Sequence, residues 1–217
     1  MRELLVSTFL TLDGVMQAPG GPEEDPTEGF TQGGWSVNYW SDELSQFMGE
    51  TMTPPFDLVL GRKTYEIFAA YWPYVSENPA ADALNSARKY VASRTLDTVD
   101  WDNSTLIEGD VAEGVAKLKE QSGPEIQVHG SANLIQTLLE HDLVDEFGLW
   151  IFPVVLGSGK RLFADGAVPA GLKLVDSQTS TTGVLITRYE RAGEVEYGTF
   201  ATEEPTEAEV QRRERLA

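Results

Sequence analysis

Two short passages of this chain bring together residue types that hold an anion without a metal. Asp57-Leu-Val-Leu-Gly-Arg-Lys-Thr64 and Ile126-Gln-Val-His-Gly-Ser-Ala-Asn133 each run from an apolar strand through a glycine into a helix start. Exposed backbone N–H groups and the helix dipole at such a start favour a phosphate. In the first passage Gly61 is followed at once by Arg62, Lys63 and Thr64, and in the second Gly130 is followed by Ser131, Ala132 and Asn133. Glycine at one such corner is also a steric convenience, so the weight falls on the pair and on where the cations stand. The chain has 16 Lys and Arg against 35 Asp and Glu, yet Arg62 and Lys63, Arg94, and Lys160 and Arg161 all sit beside glycine turns or strand ends. That placement points to a bound phosphate ligand.

The same charge balance excludes other partners. A net charge of -19 repels nucleic acid and anionic membrane surfaces. Acids along nearly every exposed stretch, with more arginine than lysine, fit a protein kept soluble in high salt, where screening weakens self-repulsion. An ordinary acidic cytosolic protein is the plainer alternative. The sequence has no cysteine, which removes disulfides, thiolate catalysis and cysteine metal sites, and His129 and His141 form no recognisable metal cluster. No apolar run reaches the roughly 18 residues of a membrane span. Met1-Arg-Glu-Leu-Leu-Val-Ser reads as a strand rather than a signal peptide, so a cytoplasmic location is expected.

The elements that must position these residues follow from the apolar pattern. A chain of 217 residues, 41% hydrophobic, is long enough for one well-buried domain. Residues 3 to 10 are apolar on both faces, as a central covered strand should be, and end at Asp13-Gly14. Residues 19 to 34 form a proline- and glycine-rich acidic loop, too long for a plain connection and therefore either a lid or a mobile insertion. Ser41 caps a helix that Pro54-Pro55 stops. A strand at 57 to 60, helices at 63 to 71 and 80 to 87, strands at 89 to 93 and 104 to 107, and an Asp110-capped helix with a capping-box Glu113 come next. The strand at 125 to 128 leads through Gly130 into a helix bearing Leu134, Ile135, Leu138 and Leu139. This alternation implies a largely parallel α/β sheet with helices on both faces. A long apolar strand at 144 to 156 and a hairpin of 172 to 178 with 184 to 190 close the domain, and an acidic tail follows from 192 to 217 with a short helix around 211 to 215.

In this order the motifs resemble the dihydrofolate reductase-like family that includes the C-terminal reductase domain of riboflavin biosynthesis, RibD, over about residues 2 to 191. The carriers are Thr11-Leu12-Asp13-Gly14-Val15, Leu60-Gly61-Arg62-Lys63-Thr64-Tyr65-Glu66, Val91-Ala92-Ser93-Arg94, Val128-His129-Gly130-Ser131-Ala132-Asn133-Leu134, and Phe152-Pro153 through Phe163. The resemblance implies an NADPH-binding fold, a central eight-stranded and mostly parallel sheet with a C-terminal antiparallel hairpin, and a homodimer. The zinc deaminase signature of the bifunctional riboflavin enzyme is absent from the sequence, so the chain resembles the stand-alone members.

NADP differs from NAD by a 2′-phosphate, which calls for cations and hydroxyls where an NAD site carries an acid. Arg62, Lys63, Ser93 and Arg94 suit that need, and by resemblance Arg62 and Arg94 flank the 2′-phosphate with Thr64 and its neighbours nearer the diphosphate. As surface charges closing strand ends they would have no such role. Gly130, Ser131, Ala132 and Asn133 would lie against the diphosphate, Gly130 allowing close approach and Ser131 able to cap the helix. His129 reads as a packing residue. Asp13 is either an orienting group at the nicotinamide or an ordinary Asp-Gly turn. Glu43-Leu44-Ser45-Gln46-Phe47 resembles the pattern carrying the reductases' active-site acid, against a plain first-turn acid favoured by the dipole. The substrate half would lie between Asp13, Glu43 and the stretch holding Pro153, Gly157 and Phe163, with Trp35, Tyr39 and Trp40 either walling a flat heterocycle or packing in the core. The expected function is an NADPH-dependent reductase of a small pterin-like or ribosylaminopyrimidine-like heterocycle. The alternatives are a non-catalytic NADP(H)-binding or redox-sensing protein and a structural homodimer.

Overall fold

A computed structural model describes residues 1–165, 167–200 and 204–216. Its frame is one eight-stranded sheet: β1 (Leu4–Thr11), β2 (Phe56–Gly61), β3 (Arg88–Ala92), β4 (Ser104–Leu106), β5 (Glu125–Val128), β6 (Glu146–Phe152), β7 (Leu172–Thr179) and β8 (Leu185–Arg191), in the spatial order β4-β3-β2-β5-β1-β6-β8-β7. The first six are mutually parallel, while β8 runs antiparallel to both β6 and β7. The expected sheet and C-terminal hairpin are therefore present. The last long strand is shorter than its apolar run suggests. After Phe152 the chain turns away, and Leu12 donates to the Val154 carbonyl at 2.8 Å.

Side chains alternate across the sheet and bury on both faces. Leu4, Val6, Leu10, Ile126 and Val128 face α4 (Val111–Glu120) and α5 (Ala132–Glu140), whose Val115, Leu118, Leu134, Ile135 and Leu138 close one core. Opposite them, Leu58, Leu60 and Val91 pack with Tyr65 of α2 (Arg62–Ala69) and with Ala83 and Leu84 of α3 (Pro79–Ser86). On that same side an aromatic cluster of Trp35, Trp150 and Phe152, joined by Phe9 and Tyr39, gathers around Leu44 of α1 (Asp42–Thr51). In the tail, α6 (Glu207–Glu214) buries no residue.

Helix starts divide into two kinds. Ser41, Asn78, Asp110 and Thr206 each accept a backbone N–H with their side chains, and each capped helix carries acids in its first turn. The expected capping box of α4 is half formed. Asp110 accepts from the Glu113 N–H at 3.0 Å, but Glu113 pairs instead with Lys117. By contrast α2 and α5 have neither a side-chain cap nor an acid in the first turn. In a chain of net charge -19, these two starts leave their positive dipole ends without a capping side chain or a first-turn acid.

Candidate functional site

The parallel strands β1, β2, β3, β5 and β6 end on one edge of the sheet, where open α/β folds hold their ligands. Gly61 ends β2 and Gly130 follows β5, so the two glycine turns stand side by side. They are fastened together by one hydroxyl: Ser131 Oγ accepts the Gly61 N–H at 2.8 Å and donates to Thr64 Oγ1 at 2.6 Å. This corrects the expectation that Ser131 caps its own helix. With φ +71° it holds a left-handed conformation unusual for serine, which turns its hydroxyl across to the neighbouring turn.

Within the chain itself the two glycines meet different constraints. Gly130 has φ +91°, but a Cβ there would meet Thr64 only at 3.6 Å, an ordinary contact. Within the chain its requirement is conformational. The close approach is at Gly61, where a Cβ would lie 2.8 Å from Ser131 Oγ and 2.9 Å from its Cβ. Ala132 and Asn133 occupy the first turn of α5, as Arg62, Lys63 and Thr64 do in α2.

Of the cations, Arg62 pairs with Glu66 at 3.1 Å on an exposed helix face. Arg94 is exposed and has no carboxylate partner among the described residues. Beside it Ser93 Oγ accepts the N–H groups of Thr95 and Leu96 at 3.1 and 2.9 Å, which shapes the turn after β3. Lys63 reaches a different neighbour, Thr27 Oγ1, at 2.9 Å.

That contact shows what the loop at 19 to 34 does. It is folded down rather than extended: Gln17 Nε2 donates to the Asp25 and Thr27 carbonyls at 3.0 and 3.1 Å, and Trp35 Nε1 to the Gln17 carbonyl at 2.8 Å. Phe30 is buried, and Lys160 joins Asp25 and Thr27. Lys160 stood out in the sequence by its placement. Nothing in the pattern of Asp25, Thr27 and Gln17 marked them, because their roles depend on a loop closing across more than a hundred residues of chain.

Both candidate acids are engaged by the chain. Asp13 Oδ1 accepts from Thr11 Oγ1 at 2.6 Å and Leu156 N at 3.2 Å, and Oδ2 from Gly157 N at 2.8 Å. Chiefly the Thr11 hydroxyl, against some loss of hydration and aided by the two amides, holds its carboxyl down at about 2. Asp13 thus clamps the β1 turn to the segment after β6 and is no source of protons near neutrality. Glu43 Oε2 accepts the Thr181 N–H at 2.8 Å and its hydroxyl at 3.2 Å, tying α1 to the turn of the β7–β8 hairpin.

The aromatic candidates separate. Trp35 is buried, spends its indole N–H on Gln17 and packs edge-on to Phe152 at 5.4 Å, so it belongs to the core rather than to a substrate wall. Tyr39 OH reaches the Pro153 carbonyl at 3.4 Å, while Trp40 is partly exposed and stacks on Trp150 at 6.3 Å. Phe163 lies apart from these, 5.8 Å from Phe147, whose core faces α4 and α5. His129 is a packing residue as read: its Nε2 meets Gln127 Oε1 at 2.8 Å. Gln127 Nε2 in turn donates to Glu125, so the histidine Nε2 carries the proton.

An eight-stranded sheet of this order, with two glycine turns and uncapped helix starts at its carboxyl edge, defines a dihydrofolate reductase-like α/β protein. Comparison with solved structures agrees. A putative riboflavin biosynthesis protein from Shewanella sp. PV-4 superposes with a TM-score of 0.60 at 23% identity, over 88% of this chain and 99% of the other. Dihydrofolate reductase from Enterococcus faecalis, complexed with NADP(H) and RAB-propyl, gives 0.55 at 15% identity over 87% and 96%. The family model of the RibD C-terminal domain matches residues 2–186, and the chain belongs to that family. Among curated relatives, protein YyaP of Bacillus subtilis (strain 168) is 34% identical over 194 residues, 85% of this chain and 92% of its own length. Family and fold together point to a reductase-like enzyme.

Proposed function

We propose that this protein is an NADPH-dependent reductase of a small heterocycle, pterin-like or ribosylaminopyrimidine-like. One observation carries the cofactor reading: the α2 and α5 starts are uncapped, free of acids and joined through Ser131. That donor set fits a diphosphate. Arg94, without a carboxylate partner among the described residues, and Arg62, whose exposed pair with Glu66 is weak, fit a 2′-phosphate. Gly61, Lys63, Thr64, Gly130, Ser131, Ala132 and Asn133 would hold the diphosphate, with Ser93 shaping the 2′-phosphate turn. NADPH would supply the hydride, and the chain's contribution is alignment and exclusion of water. Asp13 acts here through Gly157 and Leu156, setting the segment that borders the site, and Glu43 sets the position of α1.

The related solved proteins support the reading by their descriptions: one is a putative riboflavin biosynthesis protein and another a reductase complexed with NADP(H). A second reading, NADP(H) binding without turnover, is favoured by the engagement of both acids within the chain. Titration with NADPH and NADH, followed by stopped-flow oxidation with candidate pterins and ribosylated aminopyrimidines, separates these. Absence of NADPH binding would sink both readings, and tight binding with no oxidation would leave the second.

We also propose a homodimer. Every residue of β7 is exposed, including Leu172, Leu174 and Val175, although the strand pairs along its length with β8. Light scattering at micromolar concentration should give twice the chain mass of 23.9 kDa, and a single-chain mass would remove the proposal.

A further inference from the structure

A cavity of about 380 Å³ lies on the α1 side of the sheet, between the end of α1 and the β7–β8 hairpin. It opens at the amino ends of the parallel strands, away from the two glycine turns. Leu5, Gly148 and Trp150 form its floor, and Phe47, Phe56 and Ile186 wall it. Gly148 stands inside β6, where a missing side chain weakens a strand and often marks the close approach of a ligand. A Cβ there would meet nothing nearer than Leu5 and Ser7 at 3.6 Å, an ordinary contact. The fold thus has room for a side chain at Gly148 and leaves that room to the cavity.

The polar lining offers acceptors. All three hydroxyls spend their protons on backbone carbonyls: Thr51 on Phe47 at 3.0 Å, Thr53 on Gly49 at 2.9 Å and Thr187 on Leu149 at 3.2 Å. Their lone pairs remain. Gln127, buried in the floor, gives its amide to the Thr51 carbonyl at 3.3 Å and to Glu125 at 2.8 Å. The charges lean the same way. Glu50, Glu125 and Asp176 line the cavity against Arg188 alone, and Arg188 already donates from Nε to Glu146 at 2.6 Å. Glu50 accepts from Gln46 at 3.2 Å and Asp176 from Gln178 at 3.4 Å, and among the described residues neither meets a cation. The last turn of α1 carries no base, so the negative end of its dipole adds to these carboxylates.

We propose that this cavity binds an aliphatic di- or polyamine, with its methylene chain along the apolar floor and its ammonium groups at Glu50 and Asp176. These two carboxylates stand on different elements of the rim, α1 and β7. An ammonium has three donors and no acceptor, the complement of a lining whose hydroxyls and carboxylates accept. Its methylenes suit the walls of Phe47 and Phe56, as the stem of a lysine covers apolar surface. A metal ion would use the carboxylates and leave the apolar floor in contact with water.

The test is titration calorimetry of the full chain with spermidine in about 0.15 M KCl, where salt damps diffuse attraction to so acidic a protein. One saturable site is expected. Glu50→Gln and Asp176→Asn, both at exposed positions, should each weaken it about tenfold, as the loss of a charge-assisted contact does. Gly148→Val changes no charge and fills the floor, so it should weaken binding at least as much. Glu113→Gln removes an acid from α4, on the opposite face of the sheet, and should change nothing. No saturable site, or a Glu113→Gln loss equal to that of Glu50→Gln, would reduce the effect to net charge and overturn the proposal. So would spermidine binding at parental strength by Glu50→Gln and Asp176→Asn chains that melt like the parent, and these two decide alone where Gly148→Val does not fold. The measurement needs no dinucleotide, so its outcome is separate from that of the cofactor reading.

Discussion

At the scale of single residues, charge and hydration decide what each group can do. Arg94 has no carboxylate partner among the described residues, so Arg94→Ala should weaken NADPH about tenfold while leaving NADH nearly unchanged, as expected for one charge-assisted contact. Arg62→Ala should act in the same direction, less strongly, because Glu66 already claims part of its guanidinium. Fluorescence titration with both dinucleotides reads the difference, and equal weakening would refute the 2′-phosphate assignment. His129 supplies a pH signature. Burial pushes its imidazole from 6.5 down to about 4, so between those values the unfolded chain takes up a proton that the folded one refuses. Stability is complete above about pH 6.5 and falls as pH drops toward 4. Denaturant melts of His129→Gln should lack that component. The cations and glycines of the proposed site could be named from the sequence because their types alone carry the chemistry. Asp13 and Trp35 stayed open between two readings because an aspartate in a turn and a tryptophan near a loop look the same whether they face a ligand or the chain.

At the scale of elements, the arrangement depends on how closely β2 and β5 bring their two turns. Gly61→Ala would set a methyl 2.8 Å from Ser131 Oγ and should cost about 1 to 3 kcal/mol as overpacking does. Ser131→Gly removes both atoms in the way and relieves the left-handed serine, so the double variant should recover much of that loss. Thermal unfolding of the two single variants and the pair measures the coupling. If the losses simply add, the two turns do not bear on one another. Most elements were visible in advance, since apolar spacing, Ser41, Asp110 and the Pro54-Pro55 break act locally. The strand after Val144 was read as too long because an apolar run does not show where the chain leaves the sheet. That point is set by the Leu12 and Val154 pairing, 142 residues apart in sequence. The fastening role of Ser131 was hidden for the same reason.

At the scale of the whole molecule, net charge and topology matter most. With -19 on 217 residues, self-repulsion opposes the compact state and is relieved by screening. The melting temperature should rise steadily between 0.1 and about 2 M KCl, and a flat or falling curve would mark an ordinary acidic protein rather than a halophilic one. Among the described residues no helix is long and apolar enough to cross a membrane. The eight-stranded sheet was expected only through family resemblance, and its strand order was not legible at all, since strand pairing between distant segments leaves no local trace. One feature of that order also has a consequence in time. β1 and β2 do not pair with each other; each pairs with β5, whose Ile126 stands beside both Leu4 and Asp57. As the chain leaves the ribosome, its first half therefore has no central strand, and the two sides of the sheet wait unjoined until residue 128 is out. Gly61 and Ser131, bonded across 70 positions, come together in the same event, so the proposed ligand site should form late and all at once with the closing of the sheet.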